Sequence, residues 1–137
     1  MSNSVATGVA YSDPEFTTCY ASAEIGYSAA AQGAVTQLTD KSTGVTLNKS
    51  AGRITMNNAA LAGGAVASFI LTNSLISTND TMIVTVSSNT TGSAAGAYTT
   101  YVSYMAAGTC LISLRNLSAT SYSEAVIINF SIIHGAS

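Results

Sequence analysis

The sequence predicts an all-β protein: an antiparallel β-sandwich, jelly-roll-like, with seven to nine short strands and an extended N-terminal arm. Three observations lead there. Short runs rich in β-branched and aromatic residues recur from residue 34 onward. Within several of them apolar side chains alternate, as they do when one face of a strand is buried. Clusters of Gly, Asn and Ser separate the runs, the punctuation of a sandwich or barrel rather than of helices. A chain of 137 residues makes one domain, burying roughly two-thirds of the surface its unfolded form exposes.

Taken in order, residues 1–32 form a segment of their own. They hold the single proline, Pro14, three of the six acids (Asp13, Glu15, Glu24) and three of the seven tyrosines. Neither a period of 2 nor one of 3.6 is sustained, although Ala29, Ala30 and Ala31 can extend a helical turn. The segment is read as an arm that orders against a neighbour, because it cannot bury enough apolar surface alone. Tyr11, Phe16, Tyr20 and Tyr27 are its candidate interface residues, since amphipathic aromatics are favoured at interfaces. Residues 33–137 are the sandwich domain.

Residues 44–47 (GVTL) begin the clear strand signals, and residues 53–56 continue them. Between the two, Gly52 is a natural place for a reversal through a positive φ. Residues 57–62 (NNAALA) allow a short helix capped by Asn57 or Asn58; no long helix is expected. Val66–Thr72 places Ala67, Phe69 and Leu71 on one face, and residues 81–87 do the same with Met82, Val84 and Val86. In residues 98–105 strict alternation puts Tyr98 and Tyr104 on one face and Tyr101 on the other. Residues 110–115 follow, then 125–133, where Val126, Ile128, Phe130 and Ile132 form a stripe with Ile127 and Ile133 opposite. A strand apolar on both faces is central in a layered packing or faces another subunit.

Composition narrows the function classes. Charged residues make up 7% of the chain, against about 25% in ordinary soluble domains. Small domains stay apart partly through interspersed surface charge, so much of this surface is expected to be covered by neighbouring copies. A secreted β-domain solvated by its hydroxyls is the competing reading. Four cations and a net charge of −2 neutralise too few phosphates for nucleic acid to be a partner. The longest apolar run, 125–133, is far short of the about 20 residues that span a bilayer, so no membrane is expected. The first residues lack both a positive leader and an apolar core, and synthesis in the cytoplasm is expected.

No catalytic, metal or cofactor site is expected. The single histidine, His134, would need an orienting acid and a serine; Asp40, Asp80 and Glu124 are available, but no Gly-x-Ser-x-Gly elbow exists. Six acids leave little for the paired-carboxylate cleft of a polysaccharide hydrolase. One histidine and two cysteines fall short of a tetrahedral cage, although copies of His134 around a symmetry axis could hold an ion. Cys110 shares a face with Ile112 and Leu114 and reads as a small buried apolar residue; whether Cys19 meets it is left open. Lys41, Lys49 and Arg53, clustered in an otherwise nearly uncharged chain, and Tyr101 complete the set of candidate interface residues.

Several runs carry a likeness to a known group: Gly33-Ala34-Val35-Thr36-Gln37, then residues 41–49 (KSTGVTLNK), 52–57 (GRITMN), 69–74 (FILTNS) and 124–130 (EAVIINF). In order and spacing, residues 33–77 and 96–133 resemble a domain of structural proteins of tailed bacteriophages; residues 1–32 lie outside the likeness. The resemblance implies a virion structural protein without catalytic residues. Since no fibre shaft is present, it implies a capsid decoration or cement protein on the outer capsid surface, with the major capsid protein as partner. A homo-oligomer, expected to be a trimer, would bury the two-sided strands, and the arm would clamp a capsid protein or a neighbouring copy. The alternative is a fibre or tail-tip domain that binds the host cell surface.

Overall fold

In the computed structural model, which describes residues 17–89 and 96–135, a single 3₁₀ turn, Ala29–Ala31, leads into eight strands. These are β1 Gln32–Thr36, β2 Val45–Thr46, β3 Ala51–Thr55, β4 Val66–Thr72, β5 Thr81–Asn89, β6 Tyr98–Ala106, β7 Thr109–Asn116 and β8 Val126–Ile133. They form two four-stranded sheets, the first ordered β1-β3-β8-β5 and the second β2-β4-β7-β6. Tyr11 and Phe16 lie outside the described residues.

The predicted sandwich is present, and its sheets are mixed rather than purely antiparallel. β1 pairs with β3 in parallel, as β2 does with β4; every other pair is antiparallel. The cause is the route of the chain. Each link from β1 to β4 crosses from one sheet to the other, so strands two apart in sequence become neighbours running the same way. β1 is a strand that residue propensity does not signal, and it moves the start of the sandwich to Gln32.

Alternation fills the space between the sheets. Ile54, Val126, Ile128, Phe130 and Ile132 from the first sheet meet Phe69, Leu71, Cys110, Ile112 and Leu114 from the second in one core. Each fully buried side chain of this size contributes about 1.5–3 kcal/mol relative to exposure, so the core supplies the main stabilising term. Cys110 is 1% exposed, and its Sγ lies 3.3 Å from the Met82 sulfur. Burial pushes its thiol pKa up to about 11. Cys19 is exposed, and both cysteines are free thiols.

Gly52 does not make the predicted reversal. It sits inside β3, paired with Gly33 on one side and Phe130 on the other, and it is not among the positive-φ glycines. Its missing side chain matters for room: a Cβ there would stand 2.6 Å from Leu47 Cδ2 and 2.7 Å from the Phe130 ring. Leu47 also fills the space over Gly33, where a Cβ would meet Leu47 Cδ1 at 2.9 Å. The glycine pair therefore lets Leu47 and Phe130 close this part of the sandwich.

Residues 57–62 are likewise not helical. Asn57 uses its side-chain oxygen to accept from the Ala59 N–H at 2.8 Å, a local turn that competes with a helical cap. Leu61 instead bridges to Tyr122 through two backbone hydrogen bonds.

One loop junction is tied by an acid. The Asp80 side chain is 1% exposed, accepting hydrogen bonds from the Ser77 N–H and hydroxyl at 2.8 and 2.9 Å and from the Gly135 N–H at 3.0 Å. His134 Nδ1 lies 3.2 Å away. These donors, led by the Ser77 N–H, hold the Asp80 pKa down to about 2, below its ordinary 3.8. A carboxylate favoured in the folded state stabilises above its unfolded pKa and loses that contribution as pH falls through the folded one. Stability is therefore expected to drop between about pH 4 and pH 2, and Asp80→Asn should flatten that part of a pH series of denaturant midpoints.

Candidate functional site: the outer faces of the sandwich

The outward positions of the second sheet form rows across β4, β7 and β6, and three of these carry its larger side chains. In register they are Val66–Arg115–Thr99, Ser68–Ser113–Tyr101 and Ile70–Leu111–Tyr104. The third row depends on an irregularity: pairing shifts between Val102 and Tyr104, so Ser103 is the extra residue of a β-bulge. The shift returns Tyr104 to the outer face beside Tyr101. Strict alternation had placed it with Tyr98, and Tyr98 alone turns inward, 8% exposed. Val66, Ile70, Tyr101 and Tyr104 stand 47%, 50%, 43% and 61% exposed.

The serine hydroxyls of this face bond to one another. Ser113 Oγ lies 2.8 Å from Ser68 Oγ and 3.0 Å from Ser103 Oγ. A polar group buried without a partner costs about 1–3 kcal/mol. Covering this face leaves the serines paired. Arg115 is the one charge on these rows. Val66, Ile70 and Leu111 had no place among the sequence candidates, although their outward parity within β4 and β7 is the signal that finds them.

Across the outer face of the first sheet lies the end of the arm. The Tyr27 hydroxyl donates to the Ile132 carbonyl, Gln32 Nε2 donates to the Tyr27 carbonyl at 2.8 Å, and Lys49 Nζ donates to the Ala30 carbonyl at 2.8 Å. Tyr27 lines two depressions. One, of about 370 Å³, is also lined by Gln32, Arg53 and Asn129. The other, of about 570 Å³, is lined by Ile25, Gly26, Ile83, Ser131, Ile133 and His134. Tyr27 and Lys49 thus hold the arm to its own body, while Tyr20 is 92% exposed.

Lys41 corrects the sequence reading. It is 3% exposed and faces no partner surface. Its ammonium donates to the carbonyls of Asn57 and Glu124, each at 2.5 Å. Gln37, also buried, donates to the carbonyls of Lys41 and Thr43 and accepts from the Asn57 N–H. Burial pulls the Lys41 pKa below the usual lysine value, opposed by the charge of Glu124. Glu124 is itself 4% exposed. The Tyr98 hydroxyl is buried outside ordinary hydrogen-bond geometry; burial first, and the neighbouring Glu124 second, push its pKa up to about 12. Of the three clustered cations only Arg53 is exposed.

Among the described residues, no group of three or more His, Cys, Asp or Glu side chains is arranged to hold a metal ion, and no helix is long and apolar enough to cross a membrane. The arrangement offers surfaces for contact: an aromatic and aliphatic face with internally bonded serines, and a face crossed by its own arm. Comparison with protein-family models, with curated proteins and with solved structures found no match.

Proposed function

We propose that this chain is a non-enzymatic structural subunit of a tailed-phage virion, a decoration or cement protein that self-associates and binds the outer capsid surface. The observation that carries the assembly part is the outer face of the second sheet. Val66, Ile70, Tyr101 and Tyr104 are exposed there beside hydroxyls that already pair among themselves. Such a face gains from burial of its apolar side chains, and the paired serines are not orphaned by it. The phage part is supported by the run of residues 33–77 and 96–133 that resembles virion proteins. Repetition around a shell lets modest contacts sum to durable attachment.

Pairing of shell acids with cations rests on Arg53, since Lys41 is buried and Lys49 is tied to the arm. A fibre or tail-tip role is favoured by one feature, the Tyr101 and Tyr104 side chains beside the Ser103 hydroxyl, a platform on which sugar rings can stack. Counting copies in purified particles separates the two. Decoration predicts copies that scale with the number of capsid subunits; a count that matches only the tail or its fibres overturns it.

A further inference from the structure

We propose that residues 17–25 of one copy add as a strand to the free edge of β5 in a second copy, so that subunits are linked by exchanged arms. The inference rests on the assembly reading above and names the surface and the occupant. Every residue from Thr17 to Gly26 is exposed, with Tyr20 at 92% and Ile25 at 86%. β5 forms one border of the first sheet, and among the described residues no strand pairs with its outer side.

That border lies beside β6 of the second sheet without pairing with it. β5, TMIVTVSSN, contains no charge and no proline, the features by which natural sheets blunt an exposed edge. Its pairing with β8 stays regular from Thr81 to Val86 before a shift in register. The other borders are less suitable: β1 has five residues and adjoins the 3₁₀ turn, β2 has two, and β6 is broken by its bulge at Ser103. An added strand gains affinity from main-chain hydrogen bonds and specificity from alternate side chains.

Length and parity agree with this edge. Nine extended residues reach about 30 Å, while six regular strand residues need only about 20 Å. Residues 17–25, TTCYASAEI, contain one charge, Glu24, and no proline. Within its own chain Ile25 lines the apolar depression with Ile83 and Ile133, and exchange would move it to the same depression of the second copy. In a strand, Cys19 lies on the same face as Ile25, because six residues separate them and side chains alternate with period two. A head-to-tail link of this kind closes into a ring if the rotation between copies allows it.

Cys19 provides the test, because Cys110 is buried. In the full-length chain, Thr81→Cys, Ile83→Cys and Thr85→Cys are made singly, oxidised under mild conditions and run on non-reducing gels. Their oligomeric state is measured by light scattering, and each is repeated with Cys19→Ser. A disulfide requires Cα atoms within about 7 Å, so at least one position should give interchain species that Cys19→Ser removes. Crosslinks confined within single chains overturn the proposal, as does an assembled protein with no Cys19-dependent crosslink at any position; either leaves self-association standing. A protein that is monomeric throughout overturns both.

Discussion

Lys41→Ala is expected to lower the unfolding free energy by about 2–6 kcal/mol, because two carbonyls each lose a charged donor at about 1–3 kcal/mol apiece. The lysine is 3% exposed and its ammonium serves two carbonyls, those of Asn57 and Glu124. Truncation leaves both acceptors without their donor and removes the positive charge that Glu124 attracts. A domain of this kind has about 5–15 kcal/mol in hand, so the variant should sit near the limit of folding. Lys41→Met keeps the aliphatic stem but not the donor, and should recover only a small part. Combining Lys41→Met with Glu124→Gln should cost less than the sum of the single changes, since residues in one network do not act additively. Denaturant midpoints of the four proteins measure this directly. Additive losses would mean that the two residues act separately.

The same lysine carries a pH signature. Its pKa in the folded protein lies below the unfolded value of 10.5, so the unfolded chain holds this proton more tightly. Its contribution to stability therefore rises as pH climbs from the lowered value toward 10.5. Tyr98 and Cys110 act in the opposite sense, because raised acid pKa values lose stability as pH rises through 9–12. The difference between wild type and Lys41→Met isolates the lysine.

Much of the fold is legible in the sequence because alternation is a local signal. Ala67, Phe69 and Leu71, like Val126, Ile128, Phe130 and Ile132, share faces that any reader of period two finds, and all of them are buried. What is not legible depends on partners far along the chain. Lys41 reads as a candidate interface cation; the acceptors that hold it inside include the Glu124 carbonyl, 83 residues away. Gly52 reads as a turn residue, because sequence alone does not distinguish a glycine needed for positive φ from one needed for room beneath Leu47 and Phe130. The same limit applies to Tyr104. One extra residue at Ser103 reverses its face, and nothing in the hydroxyl-rich run of residues 98–105 marks where the extra residue falls.

Tyr101→Glu with Tyr104→Glu is expected to have the largest effect on assembly while leaving the fold intact. Both side chains are substantially exposed, and surface substitutions typically change stability by no more than about 0.5 kcal/mol. At an interface the same positions become aromatic anchors, where truncation costs about 2 kcal/mol or more each. Two such losses weaken association by about a thousandfold at 1.4 kcal/mol per decade, and buried carboxylates without partners add to the penalty. Circular dichroism and thermal unfolding should show a folded variant.

Sedimentation velocity of the full-length wild type beside Tyr101→Glu/Tyr104→Glu, across a dilution series, tests the account most directly. Wild type should sediment as an oligomer of defined copy number, and the folded variant should shift toward a single subunit at the same concentrations. A wild-type chain that remains monomeric at every concentration would contradict the claim that these outer faces exist to be covered.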